Sequence, residues 1–403
     1  EGGEMEVAAA QRDMYKRCEL EPIHLLPTVQ DVGAVVAVQR DGAGVPRIVQ
    51  ASRNAGRIFR VSFDWSAFLG EDLRVFFSDA AQIDRLLEKA EERAVHVAHQ
   101  TYQGKQELSQ GMDRHRESDQ GMTVWWQGWY GDSERDAYIR ACDVAGPSEK
   151  RWARGIVSLA GHDESCFLTA AHVKHGDAGL LVVEVEEVDS AVSVSASSVL
   201  ESMRQLVSEI QVVDTVGDLC NTVARNMREM SGYDRVMVYK FREDGSGCVV
   251  AESTVDGFDF DRFQRFLGVC FPENDVPAQS KRLFQRNRLR VVHSVATEQV
   301  RLEPALVAGL PVDHSDTRLR GISGFYTKYL ENMGVTASAT AAIIVEGKLW
   351  GLLTCHCYGE PFTVDPSMRM KLSIASMLLQ NAIEAHDRRT LQKRLARMDA
   401  LLE

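Results

Sequence analysis

PENDVPAQSKRLF, residues 272–284, sets an acid, Asp275, two residues ahead of a proline, between an apolar segment (FLGVCF, 266–271) and a basic run (SKRLFQRNRLR, 280–290). Pro277 suits the first turn of a helix and holds Val276 extended, so Asp275 falls just outside the helix start. The helix dipole alone favours a carboxylate there. Taken in isolation, the stretch is an ordinary helix start. Its neighbours give the acid a second meaning.

On either side lie strands. YDRVMVYKF (233–241), a turn at EDGSG and CVVAES (248–253) precede it; ASATAAIIV and KLWGLLTCHCY (337–358), joined by the two-residue Glu346-Gly347 turn, follow. A long helical stretch at about 198–231 and a terminal helix from about 365 to 402 flank them. The terminal helix carries one apolar stripe of Ile374, Met377, Leu378 and Ala382 and a narrower, heptad-like one of Leu391, Leu395, Met398 and Leu402. The second stripe suits pairing with another copy of the same helix, which predicts a parallel homodimer.

The first half of the chain repeats the design. GAVVAVQRDGAGVPRIVQA (33–51) and FLTAAHVKHGDAGLLVVEVEEV (167–188) are expected hairpins, and residues 80–105 have a helical charge pattern. Residues 106–151, polar and holding the aromatic knot WWQGWY (125–130), are expected to be an insertion. The fold class expected is α+β, with two antiparallel-sheet sensor domains. The expected boundaries are a polar tail at 1–15, a first domain at 16–192, a second at 193–385 and a connecting helix at 386–403.

Bulk properties narrow the function. The chain has 403 residues, 44% hydrophobic and 26% charged, with a net charge of −12. That charge argues against nucleic acid or an anionic membrane as partner. No apolar run is long enough to cross a bilayer, and the start, EGGEMEVAAAQRD, is not a signal peptide. The missing initiator Met is expected of a fragment or a processed chain. Eight cysteines are scattered without a CxxC pair, which predicts a reducing, cytoplasmic setting. Strand alternation throws His356 to the face opposite Cys355 and Cys357, so neither zinc ligation nor a cysteine–histidine enzyme is expected there.

Alternation also gathers a constellation. Ser338, Thr340 and Ala342 share one face of the first closing strand, and Trp350, Leu352, Thr354 and His356 one face of the second. LRGISGFYTKYLENMG (319–334) adds Arg320, Tyr326 and Tyr329, and the basic run adds Lys281, Arg282, Arg286, Arg288 and Arg290. Arginine forks, hydroxyls, aromatics and a histidine fit a flat, largely apolar ligand bearing carboxylates.

These same stretches resemble the phytochromes. PENDVPAQSKRLF is similar to their PASDIPAQARRLY signature, YDRVMVYKF to YDRVMLYRF, and YLENMGV…GKLWGLLTCH to YLxNMGV…GxLWGLIxCH. RCELEPIH (17–24) resembles the CxxEPIH start of the bacterial and fungal groups. The resemblance implies a PAS-like domain and a GAF domain joined through an N-terminal knot. Its function would be red/far-red light sensing by a linear tetrapyrrole, biliverdin, bound as a thioether to Cys18. Asp275 matches the acid whose backbone carbonyl accepts from the pyrrole N–H groups and whose carboxylate meets an adjoining PHY domain, absent here with any output enzyme. Val276, Pro277 and Phe284 belong to the same chromophore-contacting signature. Arg290 and Arg320 match the propionate arginines, and Ser338 and Thr340 the hydroxyls near a propionate. Tyr239, Phe271 and Tyr329 match aromatics around the isomerising ring, and His356 the histidine at its carbonyl.

Departures accompany the matches. Phe325 stands where plant-type phytochromes attach their bilin, Tyr326 where a histidine orders a water, and Phe284 where many members have a tyrosine. DVG (31–33) replaces the usual PHG, and Val29 matches the apolar residue threaded through the knot. Cys270 is either a second thiol near the chromophore or an inert buried cysteine. A sensor of another small ligand, or a dimerisation scaffold, is the alternative function.

Overall fold

In the computed structural model, residues 21–62, 64–108, 152–161, 165–175, 178–187, 196–361 and 364–402 are described. Cys18, the polar tail and the tryptophans of WWQGWY lie outside them. The chain divides into two units: Glu1–Ala191 with Thr297–Phe325, and Val192–Ala296 with Tyr326–Glu403. The excursion Thr297–Phe325, expected inside the second domain, thus belongs to the first unit.

The first unit is built on strands β1 (Thr28–Val29), β2 (Gly33–Arg40), β3 (Pro46–Ser52), β4 (Trp152–Ser158), β5 (Ser165–His175) and β6 (Ala178–Glu187), with helix α1 (Ala80–Leu108). A strand from the excursion, Val300–Glu303, enters the same sheet, which runs β1, Val300–Glu303, β3, β2, β6, β5, β4. Every pairing is antiparallel. Val36, Val38, Val183 and Val185 bury one face with Ile83 and Leu87 of α1. Val35, Ala37 and Val182 bury the other against Leu302, Val307, Val312 and Leu319 of the excursion. Strand alternation assigns each set to its face.

The N-terminal segment runs through the excursion. Val29, fully buried, pairs with Val300 on one side and bridges to Arg320 on the other. Leu302 N donates to Pro27 O (2.9 Å), Gln30 N to Leu319 O (2.9 Å) and Gly321 N to Thr28 O (2.8 Å). A Cβ at Gly321 would collide with Thr28, so only glycine permits this approach. The neck of the loop is closed by one side chain. Gln299 Nε2 donates to Ile322 O (2.8 Å), and its Oε1 accepts from Ile322 N (2.6 Å) and from Thr28 Oγ1 (3.1 Å).

Glu184 of β6 holds the loop to the sheet. Its Oε1 accepts from Arg318 N (2.6 Å) and Leu319 N (2.7 Å), while Oε2 is buried without a hydrogen-bond partner. Burial, reinforced by Glu186, pushes this carboxyl up to about 7 against the two amides and the Arg318 charge.

The second unit contains helices α2 (Ala196–Gln211), α3 (Val216–Ser231), α4 (Ala278–Arg286), α5 (Gly324–Asn332, whose first two residues lie in the first unit) and α6 (Pro366–Leu402). Its strands are β7 (Arg235–Phe241), β8 (Gly247–Thr254), β9 (Cys270–Phe271), β10 (Leu289–Val292), β12 (Ala337–Val345) and β13 (Lys348–Cys357), the excursion strand Val300–Glu303 counting as β11. They form one sheet in the order β10-β12-β13-β7-β8-β9. The single helix expected over 198–231 is two. Thr215 caps the second by accepting from Asp218 N (3.1 Å), after a break at Val212–Asp214. Asp365 caps α6, accepting from Met368 N (2.8 Å), with Pro366 in its first position.

Ala337, Ala339, Ala341, Ile343, Leu353 and Cys355 bury the helix-covered face against α2, α3 and α6. On α6 the buried apolar positions are Met368, Leu372, Ala375, Leu379 and Ile383, a stripe shifted from the expected one; Met377 is 45% exposed, while Ile374, Leu378 and Ala382 pack at its margin.

A carboxyl held near 7 in the folded protein and near 4.5 when unfolded stabilises the fold at acid pH. That contribution, about 3 kcal/mol, is lost as the pH rises from 4.5 through 7. Glu184→Gln keeps an acceptor for both amides and removes the titration. Its thermal midpoint is expected to vary less between pH 5 and pH 8 than that of the unsubstituted protein, by calorimetry across that range; parallel pH profiles would contradict the assignment.

Candidate functional site

The face of the second unit's sheet opposite the helices carries the constellation. Register places it in cross-strand rows. One reads Val292, Ser338, His356, Arg235, Thr254, and the next Arg290, Thr340, Thr354, Met237, Glu252. Beside them Met237, Tyr239, Val249, Ala342, Ile344 and Leu352 form an apolar cluster joined by Phe271, Val276 and Phe284. Tyr239, Arg290, Ser338, Thr340 and His356, the expected site residues of this unit on β7, β10, β12 and β13, therefore share one face, with Leu352 and Thr354. Trp350 does not. A β-bulge between Ile343 and Ile344 leaves it unpaired, and it packs with the helix-side core under Lys240. Leu349 takes its place on the site face.

Asp275 sits in a short 3-10 turn, Glu273–Asp275, with Pro277 as the cap residue of α4. Tyr329 of α5 donates from its hydroxyl to Asp275 Oδ2 (3.0 Å). Burial raises the Asp275 carboxyl, and this hydrogen bond only partly offsets it. Tyr239, on β7, is pushed up to about 12 by burial and by the nearby Asp275 charge. Its ring crosses the start of β8, where a Cβ at Gly247 would meet it. Tyr326 stacks on Tyr329 with ring centroids 6.3 Å apart, and burial raises its hydroxyl while Arg290 and Ser338 nearby lower it. Lys281 is drawn out of the basic run to donate to Gly245 O (2.9 Å), whereas Arg282 is exposed.

His356 is buried, and its Nδ1 has no hydrogen-bond partner. Burial, then the Arg235 charge, lowers it to about 3, so the ring is neutral at physiological pH. Thr340 Oγ1 donates to Thr354 Oγ1 (3.5 Å). The alternation that separates His356 from its neighbours holds: Cys355 and Cys357 are on the helix side.

Arg235 and Glu252 were not foreseen. Arg235 is fully buried, paired with Glu252 (3.4 Å), donating to Gln264 O (2.9 Å) and lying 4.6 Å from the ring centroids of both Phe258 and Phe266. Glu252 also accepts from Phe266 N (3.2 Å) and Leu267 N (3.1 Å). The available signal was an arginine two residues before Met237 and four before Tyr239, on the same side of an otherwise apolar strand. Arg320, by contrast, lies in the first unit, buried in the excursion beside Val29.

Such a face offers a cationic side chain, hydroxyls and an unpartnered imidazole around an apolar, aromatic floor. It suits a planar ligand with anionic substituents and a carbonyl to receive a neutral donor.

Comparison with known proteins places this arrangement. Residues 215–383 match the GAF domain family. A bacteriophytochrome of Pseudomonas aeruginosa is 36% identical over 200 residues, covering 49% of this chain and 27% of that protein. One of Xanthomonas campestris is 40% identical over 143 residues, 35% of this chain and 22% of that protein. The chain thus spans about a quarter of the length of these relatives. Among solved structures, the chromophore-binding domain of a Stigmatella aurantiaca bacteriophytochrome superposes with a TM-score of 0.66 at 23% identity, covering 92% of this chain and 99% of that one. That of an R. palustris bacteriophytochrome gives 0.65 at 21% identity, covering 93% and 99%. Residues 215–383 form a GAF domain, about half of the chain is similar in sequence to bacteriophytochromes, and its fold is that of their chromophore-binding domains.

Removing the Tyr329 hydroxyl takes away the hydrogen bond that favours the Asp275 carboxylate. In Tyr329→Phe the Asp275 titration midpoint is expected to move upward, read by carbon-detected NMR of the carboxyl; an unchanged midpoint would show that the two groups do not interact.

Proposed function

We propose that the chain is a red/far-red light receiver that holds biliverdin on the site face of its GAF sheet, with Cys18 adding to a vinyl side chain to form a thioether. The observation that carries this reading is the single sheet face shared by Arg290, Ser338, Thr340, His356 and Tyr239, with the Asp275 charge close to Tyr239, in a chain similar to bacteriophytochromes. The unpartnered His356 Nδ1 fits such a group, because burying it without a partner costs free energy that a ligand carbonyl would recover.

A bound linear tetrapyrrole supplies the conjugated system that absorbs light and the double bond about which one ring turns. The chain's residues do the rest. Arg290 serves a propionate, with Ser338 and Thr340 on the same sheet face as the hydroxyls near it, and Arg320 is the second arginine that the family resemblance assigns to a propionate. The Asp275 carbonyl accepts from pyrrole N–H groups, with Val276 and Pro277 fixing its direction. Tyr239, Phe271, Phe284 and Tyr329 surround the ring that turns, and neutral His356 meets its carbonyl. Tyr326, a phenol whose ionisation burial opposes, leaves this site without the imidazole usual at that position. The protein receives a signal and catalyses no reaction; the orientation of Cys355 and Cys357 away from His356 supports that view. The signal passes to a downstream PHY or output domain, in the cytoplasm.

Mixing purified protein with biliverdin is expected to give a red-absorbing band that shifts under red light and a zinc-fluorescent band on a denaturing gel, abolished by Cys18→Ala. Fluorescence surviving that substitution would move the linkage to another thiol. Absence of any pigment would leave a small-ligand sensor or scaffold.

Leu391, Leu395 and Met398 are 57, 50 and 59% exposed on the last turns of α6. Their four-then-three spacing supports a parallel homodimer through this helix. Replacing Leu391 and Leu395 together by Asp is expected to yield a monomer by sedimentation, with the GAF core unaffected.

A further inference from the structure

We propose that Cys248 and Cys270 form a reversible dithiol–disulfide site that exchanges with small-molecule disulfides and thiols and, in doing so, fastens or releases the segment leading to Asp275. The scattered cysteines predicted no pairing, yet these two are directly opposed in the antiparallel β8–β9 pair and joined by a disulfide. Their separation of 22 residues conceals the match; only the register of β9 creates it.

Three features distinguish this pair. Its sulfurs differ in access: Cys270 is exposed, while Cys248 is 8% exposed. An Arg242 guanidinium nitrogen lies 3.3 Å from Cys270 Sγ, where a positive charge favours thiolate over thiol. The remaining described cysteines, Cys166, Cys220, Cys355 and Cys357, are buried; burial pushes the Cys220 thiol up to about 12 and raises Cys355 and Cys357 as well. Burial shields those thiols from attack. Exposed Cys270 is open to it.

The chemistry closes without another reactant than a thiol couple such as glutathione. In the reducing direction an external thiolate attacks exposed Cys270 Sγ, the Cys248–Cys270 bond breaks and Cys248 leaves as the thiolate, which takes up a proton. A second external thiolate attacks the outer sulfur of the mixed disulfide, frees Cys270 and carries away the new small-molecule disulfide. Two electrons and two protons pass to the cysteines. The oxidising direction reverses each step, with Cys270 as the attacking thiolate and glutathione disulfide as the oxidant.

The consequence follows from where β9 lies. It is two residues long, at the sheet edge, and pairs only with β8. Gly268 N donates to Val249 O (2.9 Å) and Val249 N to Val269 O (3.0 Å), so the bond lies within a short ladder. Phe271, next to Cys270, packs 6.1 Å from the Tyr239 ring centroid, and four residues further on is Asp275. Breaking the cross-link leaves this edge on its few hydrogen bonds and loosens the approach to Asp275. The thiol exchange stands independently of the bilin reading; only its effect on a pigment rests on it.

The test uses the unsubstituted protein equilibrated with glutathione disulfide or with dithiothreitol, alkylated without denaturant and mapped by mass spectrometry. A cross-linked peptide pair containing Cys248 and Cys270 in the first sample, and two alkylated thiols in the second, is expected; both thiols free after the oxidant, or a bond that dithiothreitol leaves intact, would overturn the proposal. In Cys248→Ser, glutathione is expected on Cys270 several-fold faster than on Cys248 in Cys270→Ser, and Arg242→Gln should slow the former. Equal rates would remove Cys270 as the attacked sulfur. Amide exchange over Val249 and Val269–Asp275 should accelerate on reduction, and an unchanged profile would sink the coupling. None of these readouts needs pigment, so failure here is separate from failure to bind biliverdin.

Discussion

Strands β12, β13 and β7 lie in the middle of the second unit's sheet, covered on one face by helices and lined on the other by the ligand-like constellation, and most of what the unit can do depends on that two-sided burial. A strand with alanines, isoleucines and cysteines facing α3 and α6 leaves alternate positions for serine, threonine, tyrosine and histidine. A slip of one residue would exchange the two sets, burying hydroxyls beneath helices and presenting aliphatic groups to the site. The helix-side core therefore does more than stabilise: it fixes the register in which Ser338 stands opposite His356, and Thr340 between Arg290 and Thr354.

The electrostatics of the site face follow from the same burial. Arg235 and Glu252 occupy neighbouring rows, with side chains only 0 and 3% exposed. Aromatic rings around the guanidinium, together with two backbone amides on the carboxylate, make the pair tolerable, since an isolated buried charge would cost several kcal/mol. Burial, and then the pair's positive end, holds His356 neutral, while Asp275 retains a raised carboxyl. Burial is thus the first cause at both groups: it keeps the imidazole uncharged and raises the carboxyl against its hydrogen bond from Tyr329.

In the first unit the corresponding constraint is topological. Residues 27–30 run between two parts of one loop, and the loop's neck depends on the Gln299 amide, its attachment on Glu184. Neither residue is remarkable in composition. A glutamine in a polar stretch and a glutamate at an alternate position of a strand read as surface residues, and only three-dimensional proximity shows that each satisfies backbone groups that would otherwise be buried unpaired.

The strands, their hairpin turns, the terminal helix and the side of the sheet on which Ser338, Thr340, Thr354 and His356 fall were legible in the sequence, because alternation and turn chemistry act over a few residues. The motif around Asp275 was legible for the same reason, and with the strands it carried the family resemblance. Four things were not. The break that splits one helix into two needs the Thr215 cap to prevail over a continuous apolar pattern, and the bulge that turns Trp350 inward is a register event between strands. The Cys248–Cys270 pairing and the passage of Thr297–Phe325 into the first unit join segments far apart in the chain. Local sequence determines which residues can share a face; which faces meet is decided by long-range packing, where the free energy of burial is summed over partners no short stretch contains.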